Sequence, residues 1–388
     1  MVENARARSY SNRPGSYIRR TKLAQNTVGR LDRVLRCGRS PRRTVSVDSM
    51  ASRSRLDHLM GPPLAGGRRA LFTHLYPLRT FGLEMRRPTA GDIRRASEVA
   101  AVFPAALAPD LEVSLTRIGG LFVPIREQLL QGSPPKEGRP TGLSNPWTEP
   151  LDEKRLFEHE VVDAMNLVIC ELALSGVESE PASVAELGVG SITAERAMIQ
   201  GAGGPYMERT VGPALALARP SVPMIWPPTP DVVLDRVLGL PRARRLLGMS
   251  PALPTFVAAA YSLFARRLYA EALTDAWIAI ELMINDLWKG TYRRGSRDTS
   301  HRKRLDDGRS FTANLRAELL YATGVFPGDL YDSIQVARKH RNDLMHGGAV
   351  RADASLAAFN ALRGLLEQVL GEPPYSVAHP QMRWASLF

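Results

Sequence analysis

Five prolines fall within the twelve residues 219–230, RPSVPMIWPPTP. Proline lacks an N–H and fixes φ, so neither a helix nor a central strand runs through such a stretch. The chain therefore divides. A Pro-rich linker is expected over 219–253, with the domain boundary between 220 and 254. A unit at 61–218 precedes it; a unit at 254–372 and a short tail at 373–388 follow. At 388 residues, two or three domains and a sizeable core are expected.

After Pro254 the pattern is helical throughout. Residues 255–269 and 271–288 read as two apolar helices, and 289–309 as a charged, Gly-containing loop. A third helix follows at 310–323, with Ser310 as its cap. A fourth spans 328–346, with Asp329 near its start and Gly347-Gly348 past its end. A fifth covers 353–370. Five helices without a strand pattern predict a small helical bundle.

The unit at 61–218 is mixed, and an α+β fold is expected. Residues 88–103 read as a short helix behind a Thr cap. Residues 111–124 (LEVSLTRIGGLFVP) alternate and are β-rich, with Gly119-Gly120 as a hairpin turn. A Pro/Gly/Ser loop at 132–150 leads to a long helix at 151–176. Its apolar stripe is Leu156, Val161, Ala164, Met165, Val168, Ile169 and Leu172, and Gly176 ends it. A further helix is expected at 192–207, broken at the Gly-rich 201–204, and a small helical piece at 232–249. The whole chain is expected to be mostly α.

The net charge of +12 is unevenly placed. Residues 1–60 hold 14 Lys or Arg against 4 acidic residues, a net +10, which leaves +2 for the other 328. This basic tail lacks apolar periodicity and is expected to be disordered. Three readings fit it: a nucleic-acid-binding arm, an Arg-rich transit peptide, or an uninformative leader upstream of a start at Met50 or Met60. Arginines number 45 against 6 lysines, a bias that a GC-rich genome also produces.

Two cysteines, Cys37 and Cys170, exclude a disulfide-stapled or zinc-ribbon protein and fit a reducing compartment. No apolar stretch reaches the roughly 18–20 residues of a membrane span; 161–177 comes nearest and is interrupted by Asp163 and Glu171. No secretory signal is read at the N-terminus. A cytoplasmic protein without membrane contact is expected.

The fourth helix carries the chemistry. On a helical wheel Leu330, Ile334, Ala337, Arg341 and Leu344 or Met345 share one face, so Arg341 takes a core phase. A buried guanidinium demands an anion, either a protein carboxylate or a bound phosphate. Asn342 and His346, four apart, stack on an adjoining face. His346 falls in the last turn, where the helix dipole favours a cation. Arginine grips phosphate oxygens bidentately and histidine moves protons near neutral pH.

The run Arg341-Asn342-Asp343-Leu344-Met345-His346, late in a five-helix unit, resembles the HEPN superfamily. The surrounding KHRNDLMHGG is similar to its Apea-like branch of bacterial phage-defence proteins. Trp277-Ile-Ala-Ile-Glu281-Leu looks like that branch's second helix. The resemblance covers about 254–372. It implies an endoribonuclease that needs no metal or other cofactor, in which two subunits pair to line one cleft. Arg341 would hold and stabilise the phosphorane, His346 would act as general base or acid, and Asn342 would orient phosphate or histidine. RNA is the implied substrate, in an abortive-infection role, with the first unit sensing a protein or phage-derived trigger.

Arg293, Arg294, Arg297, Arg302, Lys303 and Arg304, with Lys289 and Arg309, give the 289–309 loop a net +5 and fit an RNA partner, as do Arg338 and His340. Trp288 and Tyr292 offer stacking surfaces for bases. A solvated loop explains the same charges. Glu281, in an apolar helix, is expected to form a structural ion pair with Arg338 or Arg341. His159 and Asp163 are one turn apart, but no third metal ligand is evident. Residues 201–204 lack the strand and the Lys-Ser/Thr of a phosphate loop. A non-catalytic HEPN-like dimerisation or RNA-binding module, or a nucleic-acid-binding regulator, fits the same residues.

Overall fold

A computed structural model describes residues 65–75, 80–83, 91, 95–104, 110–130, 153–199, 228–293 and 298–374. The basic tail at 1–60, the loop at 132–150 and the Gly-rich 201–204 lie outside these residues, as does most of the tail at 373–388.

The described residues are mostly helical, with an antiparallel sheet in the N-terminal part. The six strands are β1 (Arg68–His74), β3 (Val99–Pro104), β4 (Glu112–Thr116), β5 (Gly120–Pro124), β6 (Gly188–Ile192) and β7 (Ala197–Ile199), in the order β3-β4-β5-β1-β6-β7. β4 and β5 form the expected hairpin, and Gly119 supplies the left-handed turn residue at φ +77°. β1 lies centrally, with Phe72 facing both Phe122 of β5 and Gly188 of β6. Its side chains alternate: Leu71 enters the main core, while Ala70 and Phe72 build a second cluster with Phe122, Ile192 and Ala197.

Parts of two expected helices are strands here. Residues 99–103, expected as the end of a helix, belong to the edge strand β3, which carries a bulge between Val99 and Ala101. Residues 197–199 form β7, not helix. The Thr193 hydroxyl accepts the N–H of Glu195 and Arg196 at 3.3 and 3.0 Å, a local turn that reverses the chain after Ile192. Both strands are short and at or near an edge, where pairing rather than periodicity decides.

Helix α1 (Glu127–Leu130) is brief; α2 (Glu153–Leu174) is the long one. α2 is buried around most of its circumference, which suits a helix between two layers. It lies between the sheet and α5 (Leu253–Ala265), and one hydrophobic core runs from Leu71 to Leu370. In its described part, the segment expected as a linker is packed structure. β8 (Pro228–Thr229) pairs in parallel with β2 (Thr80–Phe81). α3 (Asp231–Val237) and α4 (Pro241–Met249) bury Leu234, Val237, Ala243 and Leu246.

A buried ion pair joins α4 to α2. The Glu171 carboxylate is fully buried; it accepts the N–H groups of Arg242 and Ala243 at 3.0 and 2.7 Å, and Arg242 Nε at 2.7 Å. It thus caps the N-terminus of α4. Leu240, before that helix, sits in the left-handed region at φ +52°. Arg242 Nη1 also donates to Leu174 O at 3.0 Å, and Nη2 to the Ser175 hydroxyl.

The C-terminal helices are α5, α6 (Tyr269–Trp288), α7 (Thr299–Asp306), α8 (Ala313–Ala322), α9 (Gly328–Met345) and α10 (Ala352–Leu370). α5 packs on α6, α6 on α10, and α10 on α9. Phe264 of α5 stacks on Phe359 of α10 at 4.8 Å. The cap of α8 is Thr312, not Ser310: the Thr312 hydroxyl accepts the Leu315 N–H at 3.4 Å, while Ser310 donates to Asp307 at 2.7 Å. Among the described residues no single helix is long and apolar enough to cross a membrane; α3–α4 together with α5 pass that test only as a pair bent by 112°.

Candidate active site

α9 starts after Pro327, with Asp329 in its first turn. Leu330, Ile334 and Ala337 are buried. Leu330 presses so closely on Gly364 of α10 that a Cβ at 364 would stand 2.8 Å from its Cδ1. The helix ends in a Schellman motif: Gly347 N–H donates to Leu344 O at 2.9 Å, and Gly348 N–H to Asp343 O at 2.8 Å. The paired glycines serve different ends. Gly347 adopts φ +86°, whereas a Cβ on Gly348 would meet Asp343 O at 2.8 Å.

This terminus fixes the three motif residues. Arg341 is half-buried and Nη1 donates to Asn342 Oδ1 at 3.3 Å. Asn342 is half-buried; His346 is exposed, and its backbone N–H returns to Asn342 O at 3.1 Å. The buried stripe stops at Ala337, so Arg341, one turn on, is only partly enclosed. Among the described residues no carboxylate pairs with it. Of the two anions expected, a protein carboxylate or a phosphate, the described residues do not supply the first.

The expected ion pair of Glu281 is corrected likewise. Glu281 is half-buried on α6 and pairs with neither Arg338 nor Arg341; Arg338 Nε donates to Gln335 Oε1 at 3.0 Å instead. Partial solvation removes the need for a partner. His340 is half-buried and stands about 160° round the helix from Asn342 and about 120° from His346, so it does not join the cluster.

The basic segment is not the expected loop. α6 runs on into a π-helical turn, Lys289–Arg293, and α7 follows with Asp298 as its cap. Only Leu305 of α7 is buried; Arg302, Lys303 and Arg304 are exposed. Arg293 pairs with Asp306 at 3.2 Å, and Arg294 and Arg297 lie outside the described residues. Trp288 and Tyr292 are not open to bases. Trp288 is buried and donates to Leu305 O at 3.3 Å, and Tyr292 stacks on it at 4.1 Å while donating to Leu319 O at 3.0 Å. The exposed aromatic surface is elsewhere: Tyr321 of α8, 46% exposed, stacks on Tyr331 in the first turn of α9 at 4.5 Å. Tyr292 also meets Thr323, at the end of α8; Arg341 lies ten residues beyond Tyr331, roughly 15 Å along the axis of α9.

A second arginine lies deeper than Arg341. Arg316 of α8 is 8% exposed and donates through Nη1 to Asn285 Oδ1, while its Nε has no partner. Burial pulls its pKa down, and the nearby Asp306 opposes this. Its signal was a core phase one turn before Leu320. The Cys170 thiol is buried, and burial pushes its pKa well up. Among the described residues no group of three His, Cys, Asp or Glu is placed to hold a metal ion. His159 and Asp163 are exposed on α2, Glu158 beside them is buried, and Glu160 pairs with Arg126 at 3.1 Å.

Compared with known proteins, the chain matches no family model, no curated protein and no solved structure. A guanidinium with unused donors, an amide and an exposed imidazole within a turn and a half of helix can hold an anionic oxygen and move a proton beside it.

Proposed function

We propose that the C-terminal helices are a HEPN-like bundle of the Apea-like kind and that two copies pair to form a cytoplasmic endoribonuclease. One observation carries this reading: Arg341 sits in a core phase, half-buried, with no carboxylate paired to it among the described residues, bonded to the adjacent Asn342 and five residues before His346. Such a charge is expensive to keep without an anion, and a phosphate would supply one. His346 takes the proton of the ribose 2′-hydroxyl, whose oxygen bonds to the adjacent phosphorus. Arg341 and Asn342 hold the phosphorane oxygens as the bond to the 5′-oxygen breaks, and a protonated histidine returns a proton to that oxygen. The products are a 2′,3′-cyclic phosphate and a 5′-hydroxyl. The sheet-bearing N-terminal half would sense a phage-derived or protein trigger.

A second reading, a non-catalytic RNA-binding module, draws support from the exposed basic residues Arg302, Lys303 and Arg304 of α7. One assay separates them. Total RNA is incubated in EDTA with the wild-type protein, Arg341→Ala and His346→Ala. The enzyme reading expects cleavage of RNA but not of DNA, lost in both folded variants. Binding without cleavage, with or without phage lysate as trigger, selects the module.

A further inference from the structure

Tyr331, Gln335, Arg338, Asn342 and His346 follow one another at three- or four-residue steps and so form one stripe along a flank of α9. At one end is the Tyr321–Tyr331 stack, its rings 12° from parallel. At the other is the motif. The stripe itself holds no carboxylate; Asp332 and Asp343 are exposed on the neighbouring flank, about 80–100° round the helix from its centre. Gln335 steadies Arg338 through Nε, and among the described residues no acidic side chain pairs with that guanidinium. Glu318 lies at the aromatic end, where it accepts the Tyr331 hydroxyl at 2.9 Å, and Tyr321 is exposed. A flat open ring, a cation midway and a second cation with a histidine beyond match the repeat of a single strand, with bases for the ring and phosphates for the cations.

Resting on the ribonuclease reading above, we propose that the Tyr321–Tyr331 stack is a base-binding subsite for the RNA whose scissile phosphate meets Arg341. Tyr331 and Arg341 are ten residues apart, roughly 15 Å of helix. Four or five stacked nucleotides would span that at about 3.4 Å each, fewer if the strand is extended. The base on Tyr321 is therefore roughly three to five nucleotides from the cut.

The test measures binding by fluorescence anisotropy and cleavage rates together. Labelled uridine trinucleotide and nonanucleotide are offered to the full-length wild type, Tyr321→Ala and Tyr321→Phe, each checked by thermal melting. The subsite expects Tyr321→Ala to weaken the nonanucleotide roughly tenfold and leave the trinucleotide alone, while Tyr321→Phe behaves as wild type. Tyr321→Ala that binds and cleaves the nonanucleotide normally overturns the subsite, even where His346→Ala still abolishes cleavage and the enzyme reading stands. A length-dependent binding defect with no cleavage by any variant keeps the subsite and removes the enzyme. No RNA binding by wild type overturns both. A change in self-association alone identifies the face as a protein contact and overturns the subsite.

Discussion

Two arginines show how one side chain serves two ends. Arg242, where α4 meets α2, spends its donors on Glu171, Leu174 and Ser175. Arg341, at the end of α9, makes one bond to a neighbouring amide, at 3.3 Å. The first completes a buried charge whose partner is fully desolvated. The second is held half-open by a helix whose core stripe has run out. Saturated donors mark a joint; unused donors beside an exposed histidine mark a place for a ligand. The same substitution at both positions tests this. Arg242→Ala leaves the Glu171 carboxylate buried with only backbone N–H groups, and about 3–5 kcal/mol of stability should be lost in urea denaturation. A loss below about 1 kcal/mol would mean that the two backbone bonds suffice.

The contrast extends to histidines. His74, on β1, is 6% exposed, lies edge-on to Phe72 at 5.7 Å, and has no partner at Nδ1. Burial pulls its pKa from 6.5 down to about 4. Below about pH 6.5 the unfolded chain binds a proton that the folded chain refuses until about pH 4. Stability should therefore fall as pH drops through that window, by at most about 3 kcal/mol from this group, and be unaffected above it. His74→Leu should flatten that part of the pH profile; an unchanged slope would place the acid sensitivity elsewhere.

Arg341→Ala should reverse the pattern of Arg242→Ala. The half-buried guanidinium gives up one long bond, so stability should change by about 1 kcal/mol or less. RNA cleavage should fall about a hundredfold or more, since the donors are used only when charge develops on phosphate. Equal damage to stability and activity would make Arg341 a second structural arginine and erase the distinction.

The legibility of these regions in the sequence follows their physics. α2, α6 and α10 were readable because long apolar stripes repeat at helical spacing, and the β4–β5 hairpin because Gly119 marks its turn. β3 and β7 were not, because short strands depend on partners far along the chain. The Glu171–Arg242 joint spans 71 residues and leaves only a lone Glu in an apolar helix as its trace. α7 was hidden because one buried residue, Leu305, makes no periodicity. The order Arg341, Asn342, His346 was legible; the half-burial that leaves Arg341 unpaired was not, because a wheel does not tell where a core stripe ends.

The smallest predicted effect bears on what holds the motif in place. Both glycines after His346 end α9, but for different reasons. Gly347 needs a positive φ, which asparagine tolerates better than alanine. Gly348 has ordinary φ but no room, since its Cβ would sit 2.8 Å from the Asp343 carbonyl oxygen. Backbone cannot yield as a flexible side chain can, so Gly348→Ala and Gly348→Asn should each lose about 1–2 kcal/mol. At 347 the two should differ: about 1 kcal/mol for alanine and less for asparagine. Melting curves of the four variants decide. Equal losses for alanine and asparagine at 347 would show that the left-handed turn is not what orders this terminus. The position of His346 would then rest on the packing of α9 alone, and the contrast with the tightly bonded Arg242 joint would be greater still.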